Sequence, residues 1–290
     1  MKYADRNGKR WEESSFQDRF LEKLYGSVPG RMLVKILVQP VISKAGGWLL
    51  DTSLSRLMIP GFIRHHHLNP GQWEKQKFSS YNDFFTRKLK AGERPIPADP
   101  ELLISPCDGK LTVYPVDGKG RFRIKHTSYT LARLLKNHCL AERFEGGNVL
   151  VFRLTVDDYH RYCYVDDGVK SSNYRIPGIF HTVNPVANDW EPIYKENTRE
   201  YCLIHTRRFG TVLMMEVGAL MVGKIHNYHG AGKVSRGQEK GRFEFGGSTI
   251  ILLTEPDKVM IDRELVENSR QGYETVVKMG EVIGRKGNNR

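Results

Sequence analysis

Dense apolar runs in the second part of the chain are the feature that most constrains its fold. From about residue 103, segments rich in Val, Ile, Leu, Tyr and Phe are separated by Gly and Asp. They include VLVFRLTVDDY (149–159), EYCLIH (200–205), GTVLMMEVGALMVGKI (210–225) and STIILLTE (248–255). Such runs are typical of strands buried in a sheet. One helix, SYTLARLLKNHCL (128–140), is predicted among them.

The N-terminal part has a different pattern and predicts helices from about residue 16 to 68. In RMLVKILVQPVI (31–42), Pro40 is expected to kink or end a helix. GGWLLDTSLSRLMIPGFI (46–63) combines an apolar face with basic flanks, which fits either a membrane interface or packing on a core. The expected fold class is α+β, with a helical N-terminal region and a β-rich body of mainly antiparallel sheets.

Charge and hydropathy restrict the partners. The 290 residues carry a formal net charge of +12, which favours an anionic partner, either nucleic acid or an anionic membrane surface. No recognised nucleic-acid module is present, so nucleic acid is not expected. No window reaches the roughly 18 apolar residues of a spanning helix, and no secretory segment is visible. Membrane contact is therefore expected to be peripheral, on the cytoplasmic side.

Metal ligands and common cofactor motifs are not evident. The four cysteines show no C-x-x-C spacing, and consecutive histidines in HHHLNP (65–70) point in different directions. The sequence has no Walker loop. We predict no metal, pyridoxal phosphate or nucleotide, and we interpret Glu216 and Glu239 as structural.

Two glycines and a serine interrupt a strand pattern in GRFEFGGSTIILL (241–253). Gly-Gly-Ser is commonly a turn or a bulge. The alternative is chemical: Gly247 can adopt backbone angles that bring its carbonyl carbon onto the hydroxyl of Ser248. An N→O acyl shift, elimination and hydrolysis would then leave a pyruvoyl group at a new N-terminus, an electrophile that forms a Schiff base and accepts electrons.

Seven motifs in a fixed order favour the chemical alternative. They are NDFFTRKLKAGERPI (82–96), SPCDGK (105–110), VDDYHRY (156–162), HTVNP (181–185), ENTREY (196–201), EVGALMVGKI (216–225) and GQEKGRFEFGGSTIILL (237–253). Together they resemble the phosphatidylserine decarboxylases, pyruvoyl enzymes that make phosphatidylethanolamine, in the branch with a GGS processing site. The resemblance extends from about residue 75 to the end.

The resemblance implies self-cleavage between Gly247 and Ser248, with Ser248 becoming the pyruvoyl cofactor that binds the substrate amine. The chain is accordingly divided into a helical, basic, membrane-associating region at 1–75, expected from its sequence pattern, and a catalytic domain at 76–290, implied by the resemblance. Residues 1–247 and 248–290 would form a heterodimer of large and small fragments, with a homodimer of these as a further alternative. The implied reaction converts phosphatidylserine to phosphatidylethanolamine at an anionic membrane surface.

Family roles are also implied for individual side chains. Asp108 matches the carboxylate of an Asp-His-Ser relay, and His160 matches the first histidine of D-Y-H-x-x-H and is the candidate proton donor. Cys163 stands where the family has its second histidine, the usual relay base. Three accounts are open: Cys163 acts as a thiolate, His160 or His181 is the base, or processing is slow or absent. We favour a histidine.

Two other functions are compatible with the sequence. One is a related pyruvoyl decarboxylase that acts on a soluble amino acid, against which the apolar N-terminal helices argue. The other is an unprocessed relative that binds lipid without catalysis, which Cys163 favours.

Overall fold

The computed structural model describes residues 1–13, 27, 30, 40–124, 127–178, 197–218, 225–244 and 248–287, without the side chains of 40–45 and 127. Strands dominate this part of the chain, and most of the helices lie in its N-terminal half. The predicted α+β class, with mainly antiparallel sheets, is confirmed.

The strands were numbered in chain order. They are β1 (Lys2–Ala4), β2 (Arg10–Glu12), β3 (Leu102–Ile104), β4 (Gly109–Pro115), β5 (Arg121–Ile124), β6 (Thr127–Thr130), β7 (Asn148–Leu154), β8 (Arg161–Cys163), β9 (Gly168–Lys170), β10 (Tyr174–Ile176), β11 (Arg199–Thr206), β12 (Thr211–Val217), β13 (Ile225–Asn227), β14 (Gly232–Val234), β15 (Glu239–Phe243), β16 (Ser248–Thr254), β17 (Val259–Ile261), β18 (Glu274–Val277) and β19 (Val282–Lys286).

The helices are short. They are α1 (Pro40–Asp51), α2 (Ile59–His65), α3 (Tyr81–Phe85), α4 (Leu131–Leu135), α5 (His138–Glu142) and α6 (Arg263–Arg270), with 3-10 turns at Ser53–Met58 and Pro70–Gln72.

One large sheet organises the described residues. Its strand order is β14-β9-β11-β12-β16-β7-β4-β18-β1-β2, with β10 also paired to β11. All of these pairs are antiparallel except β1 with β18. The central strands β7, β12 and β16 are buried along almost their whole length. Burial on both faces explains why their sequences are continuous apolar runs rather than alternating ones.

The two faces of this sheet contact different cores. Successive side chains of a strand point to opposite faces. Ile250 and Leu252 therefore join one core, whereas Ile251 and Leu253 join the other. The first core also contains side chains from the three-stranded sheets β13-β15-β8 and β17-β19-β3. The second contains side chains of the β5-β6 pair and of α4 and α5.

A smaller aromatic core holds the N-terminal helices together. Its buried members are Leu50, Ile59, Trp73, Tyr81, Phe84 and Phe85. Several ring pairs meet edge to face, including Trp73 with Phe84, whose centroids lie 5.5 Å apart. Of the described helices, none has the length and apolar character needed to cross a bilayer.

The structure departs from the sequence interpretation at three places. Residues 1–13 are not helical, because β1 and β2 extend the large sheet beside β18. The helix predicted at 128–140 is broken into β6, α4 and α5, because Lys136 takes a left-handed conformation and Asn137 caps α5. Pro40 was predicted to kink or end a helix, and it is instead the first residue of α1, a position that suits proline. Residues 31–39 lie outside the described residues.

Candidate active site

Ser248 is the first residue of the central strand β16. It pairs with Leu154 of β7 and is fully buried. By alternation along β16 it belongs to the face of Ile250 and Leu252. Its hydroxyl has no hydrogen-bond partner among the described residues. A buried, unpaired hydroxyl is unfavourable by about 1–3 kcal/mol, so this position is unusual for a purely structural serine.

Gly246 and Gly247 lie outside the described residues, so the geometry of the predicted scissile bond is not part of the structure. The chain is described again from Ser248 onward. The prediction of cleavage before Ser248 therefore stays a prediction at this point.

Asp108 directly precedes β4, at nearly the same level of the large sheet as Ser248. The register places Gly109 and Ser248 on either side of Leu154, so their Cα atoms are about 10 Å apart, two strand spacings. Gly109 has φ 154°, and a Cβ there would lie 2.9 Å from the carbonyl oxygen of Arg153. The glycine of the Asp-Gly pair therefore allows β4 to approach β7 closely.

The Asp108 carboxylate is fixed by charged and backbone donors. Arg94 donates from Nε to Oδ1 (2.8 Å) and from Nη2 to Oδ2 (2.5 Å). The backbone N–H of Met279 also donates to Oδ1 at 2.9 Å. Arg94 thus presents the bidentate pairing that guanidinium and carboxylate favour.

His160 is fully buried and oriented from two sides. Its Nδ1 lies 2.9 Å from the carbonyl oxygen of Asp158, and its ring centroid lies 3.9 Å from that of Phe85. A carbonyl only accepts hydrogen bonds, so Nδ1 carries the proton and Nε2 presents a lone pair. This Nε2 has no partner in the described part of the chain.

Burial lowers the pKa of His160 to about 4, with Asp158 opposing the shift and Arg87 adding to it. The imidazole is therefore neutral near pH 7. As arranged, it is suited first to accept a proton at Nε2, and it can donate only a proton that it has already taken up.

A buried ion pair fixes the loop that carries the partner of His160. Lys110 donates from Nζ to both carboxylate oxygens of Asp158 (2.9 and 2.7 Å) and to Oγ1 of Thr155 (2.6 Å). Asp158 also accepts from the backbone N–H of Thr155 at 2.7 Å. Lys110 lies two residues after Asp108, so a single strand, β4, contributes to the support of both predicted relay residues.

Backbone hydrogen bonds bring the predicted motifs together. The N–H of Cys163 donates to the carbonyl of Pro106 (2.8 Å), next to Asp108. Phe243, five residues before Ser248, donates from its N–H to the carbonyl of His160 (2.9 Å). Asp108, His160 and Cys163 therefore lie in one region with the strand that leads to Ser248. His181 lies outside the described residues.

A family model for phosphatidylserine decarboxylase matches residues 81–285. The chain belongs to this family. The predicted membership is thereby confirmed, and with it the enzyme class, since the family is one of carboxy-lyases.

Curated relatives agree over nearly the full length. The chain is 41% identical over 273 residues to phosphatidylserine decarboxylase proenzyme 2 of Clostridium acetobutylicum, covering 94% of each chain. It is 41% identical over 275 residues to the proenzyme of Clostridium novyi, covering 93% of each. It is 38% identical over 293 residues to a proenzyme of Clostridium botulinum, covering 99% of each.

Cys163 is the residue at which this chain departs from the motif D-Y-H-x-x-H. The thiol is buried, and burial raises its pKa to about 12. Cys163 is therefore a neutral thiol near pH 7, which argues against the thiolate account. Of the bases considered, His160 has an available lone pair in the described structure.

The two carboxylates interpreted as structural are both in ion pairs. Glu216 accepts from the ammonium of Lys240 at 2.7 Å, and both side chains are fully buried. Glu239 pairs with Arg161. Glu216 lies opposite Ile250, so it is a diagonal neighbour of Ser248 on the same face, with Cα atoms roughly 7–8 Å apart. Burial raises the pKa of Glu216 against the effect of Lys240.

Sequence reasoning missed the two arginines next to the site. Arg94 holds Asp108, and Arg87 is a buried cation near His160. Both belong to the motif NDFFTRKLKAGERPI, which was quoted only as part of the ordered set. The local sequence carried no clear signal, because Arg87 lies between Thr86 and Lys88 and Arg94 lies between Glu93 and Pro95. Their contacts with the site form only in the folded chain.

Proposed function

We propose that the chain cleaves itself between Gly247 and Ser248, and that the processed protein decarboxylates phosphatidylserine to phosphatidylethanolamine. The main support is the pair of unpartnered buried groups, the Ser248 hydroxyl and the neutral Nε2 of His160. Nucleophilic attack by serine requires a hydroxyl that no structural hydrogen bond holds and a neutral base that can take its proton, and these two groups have those properties. The word proenzyme in the relatives' names supports the same proposal.

The residues around Ser248 fit a pyruvoyl group. Ser248 is fully buried, and the adjacent Leu154 excludes water on the β7 side. A pyruvoyl group there would supply an electrophilic carbonyl and an electron sink for loss of CO₂. Ser248 would provide its atoms, so no separate binding pocket for a cofactor is needed.

In this proposal the roles of the side chains follow from their contacts. His160 accepts the hydroxyl proton of Ser248 at Nε2 while the Asp158 carbonyl holds its other nitrogen. Asp108, held by Arg94 and the Met279 N–H, supplies negative charge beside this proton transfer. In each later turnover the substrate ammonium must lose a proton before its nitrogen can react. His160 can hold such a proton at Nε2 and return it to Cα after CO₂ leaves, which is the donor role predicted for it.

An exposed apolar patch supports a membrane substrate. Its members are Trp48, Leu49, Leu54, Leu57 and Met58, with 55–75% of each residue exposed. Large contiguous apolar surface on a soluble domain commonly marks an interaction site. We propose that this patch enters the interface of an anionic membrane on the cytoplasmic side, aided by Arg56, Arg64 and the positive net charge.

The same group of helices packs against the site. Leu50 and Ile59, on the inner side of the patch, share a core with Phe85, and Phe85 stacks on His160. The patch and the imidazole are therefore linked through one packed core. This continuity favours a lipid substrate over a soluble amino acid.

The first test is the intact mass of the purified protein. We expect two chains, of residues 1–247 and 248–290, the smaller with a pyruvoyl N-terminus. Ser248→Ala is expected to yield one chain and to release no CO₂ from phosphatidylserine. Val259→Ala, a truncation in the same fragment but outside the site, should still be cleaved. A single wild-type chain of full mass would support the unprocessed lipid-binding alternative, which Cys163 favours.

A further inference from the structure

Arg87 is a buried cation with poor compensation. Its side chain follows α3 and lies over the rings of Phe84 and Trp73, 4.9 and 5.4 Å from their centroids. Its hydrogen bonds are long: Nη1 to the carbonyl of Phe84 is 3.4 Å, and Nη2 lies 3.3 and 3.5 Å from the carbonyls of Asp157 and Asp158. Nε has no partner in the described part of the chain.

Three arginines near the sheet, two of them buried and Arg94 partly buried, have carboxylate partners. Arg94 pairs with Asp108, Arg153 with Glu274 and Arg161 with Glu239. Arg87 forms no ion pair with any described carboxylate, although Asp108 and Asp157 act on it from a longer distance. A buried guanidinium without a counter-ion is costly, and a bound anion would offset that cost.

Arg87 is also beside the proposed catalytic base. The carbonyl of Asp158 that accepts from His160 Nδ1 is the same one approached by Arg87 Nη2. Arg161 fixes the backbone of this segment by donating from Nε to the carbonyls of Thr86 and Arg87, at 3.0 and 3.2 Å. The backbone of Arg87 is therefore fixed, and its guanidinium is positioned by the ring and carbonyl contacts given above.

We propose that Arg87 binds an oxyanion of the lipid head group, and that this oxyanion is the phosphodiester. The inference rests on the proposed function for the identity of the substrate. Both the carboxylate and the phosphodiester of phosphatidylserine could pair with a guanidinium. Pairing with the carboxylate would stabilise the group that must leave as CO₂ and would oppose catalysis, whereas the phosphodiester is unchanged by the reaction.

The test separates the two anions by calorimetric titration of the purified protein. One probe is dihexanoyl phosphatidylglycerol below its critical micelle concentration, which has a phosphodiester but no amine or carboxylate. The other is monohexyl succinate, which has a carboxylate but no phosphate. We expect Arg87→Met to weaken binding of the phosphodiester probe at least tenfold and Arg87→Lys to weaken it less, because the charge remains but the fork is lost.

Thermal stability provides a second readout with a matched control. Arg87→Met removes an uncompensated charge, so its Tm should rise by roughly 3 °C or more. Arg153→Met makes the same chemical change but leaves Glu274 unpaired, so its Tm should fall while binding of the phosphodiester probe is unchanged.

Three results would overturn the proposal. The first is that Arg87→Met weakens binding of the succinate probe alone. The second is that Arg87→Met and Arg87→Lys both bind the two probes with unchanged affinity. The third is a lowered Tm of Arg87→Met together with unchanged affinity of Arg87→Lys. Release of CO₂ from phosphatidylserine by the wild-type protein is measured separately. Phosphodiester binding that depends on Arg87, without CO₂ release, would refute the proposed function and leave this inference standing.

Discussion

At the scale of the residue, the protein keeps a serine hydroxyl, an imidazole nitrogen and a guanidinium buried with unsatisfied atoms. Ser248 Oγ, His160 Nε2 and Arg87 Nε have no hydrogen-bond partner among the described residues. Buried polar atoms are nearly always paired in folded proteins. Arg87 and His160 both approach the carbonyl of Asp158, and Ser248 is the first residue of β16. Buried polar atoms without a hydrogen-bond partner are unfavourable. They are expected where a substrate or a reacting group supplies the missing interaction.

The buried histidine predicts a specific pH dependence of stability. The ordinary pKa of 6.5 falls to about 4 in the folded state, so the contribution of His160 to stability is fully present above about pH 6.5 and is lost as the pH falls toward 4. The loss amounts to about 3 kcal/mol. We expect His160→Asn, compared with wild type in a Ser248→Ala background, to reduce the pH dependence of the unfolding free energy by about this amount.

Urea unfolding at pH 7 and at pH 4.5 measures the difference. His205→Asn, at an exposed position on β11, serves as the control and should leave the pH dependence unchanged. Equal pH dependence in wild type and His160→Asn would mean that the imidazole is not buried in the neutral form.

At the scale of the element, hydrophobic patterns predicted the strands whose burial shows in their own sequence. The continuous apolar runs of β7, β12 and β16 were predicted as buried strands, and all three form. The position of β1 beside β18 could not be predicted, because it depends on pairing between the two ends of the chain. Asp108 and His160 came from motif resemblance, whereas their partners Arg94 and Phe85 depend on tertiary contacts.

Lys110 is the counter-ion of Asp158, which lies in the loop between β7 and β8. We expect Lys110→Met to lower the free energy of unfolding by about 3 kcal/mol, because the largely buried carboxylate of Asp158 is left unpaired. The double variant Lys110→Met/Asp158→Asn should recover part of the loss. Lys75→Met, at the exposed pair with Asp83, should cost less than about 1 kcal/mol. Urea denaturation measures each value, and additive losses would exclude coupling between Lys110 and Asp158.

At the scale of the whole molecule, the exposed apolar patch and the reaction site are joined by one small aromatic core. The patch is carried by α1 and the following 3-10 turn, and the site-facing end of that core is Phe85. Under the proposed function, this arrangement would connect membrane binding with the surroundings of His160. None of the described helices could span a bilayer.

Charge placed in the patch should weaken membrane binding. Leu54→Glu and Leu57→Glu each remove an exposed apolar side chain and add repulsion from anionic lipid, so each should reduce partitioning to vesicles of phosphatidylglycerol and phosphatidylcholine at least tenfold. Met260→Glu, at an exposed apolar residue on β17, is the control and should have a much smaller effect. Vesicle co-sedimentation provides the measurement, and equal losses in all three variants would show general charge repulsion rather than a defined patch.

The position of β16 has a consequence for the lifetime of the processed protein. The strand begins at Ser248 and pairs along its whole length with β7 and β12, both of which precede the proposed cleavage point. The later strands β18 and β19 likewise pair with β4 and β3. Under the proposed cleavage, the two fragments are interleaved through shared sheets and cannot separate while folded. Once unfolded apart, they would have to find each other again in solution, so maturation would exchange a refoldable single chain for an enzyme that is assembled only once.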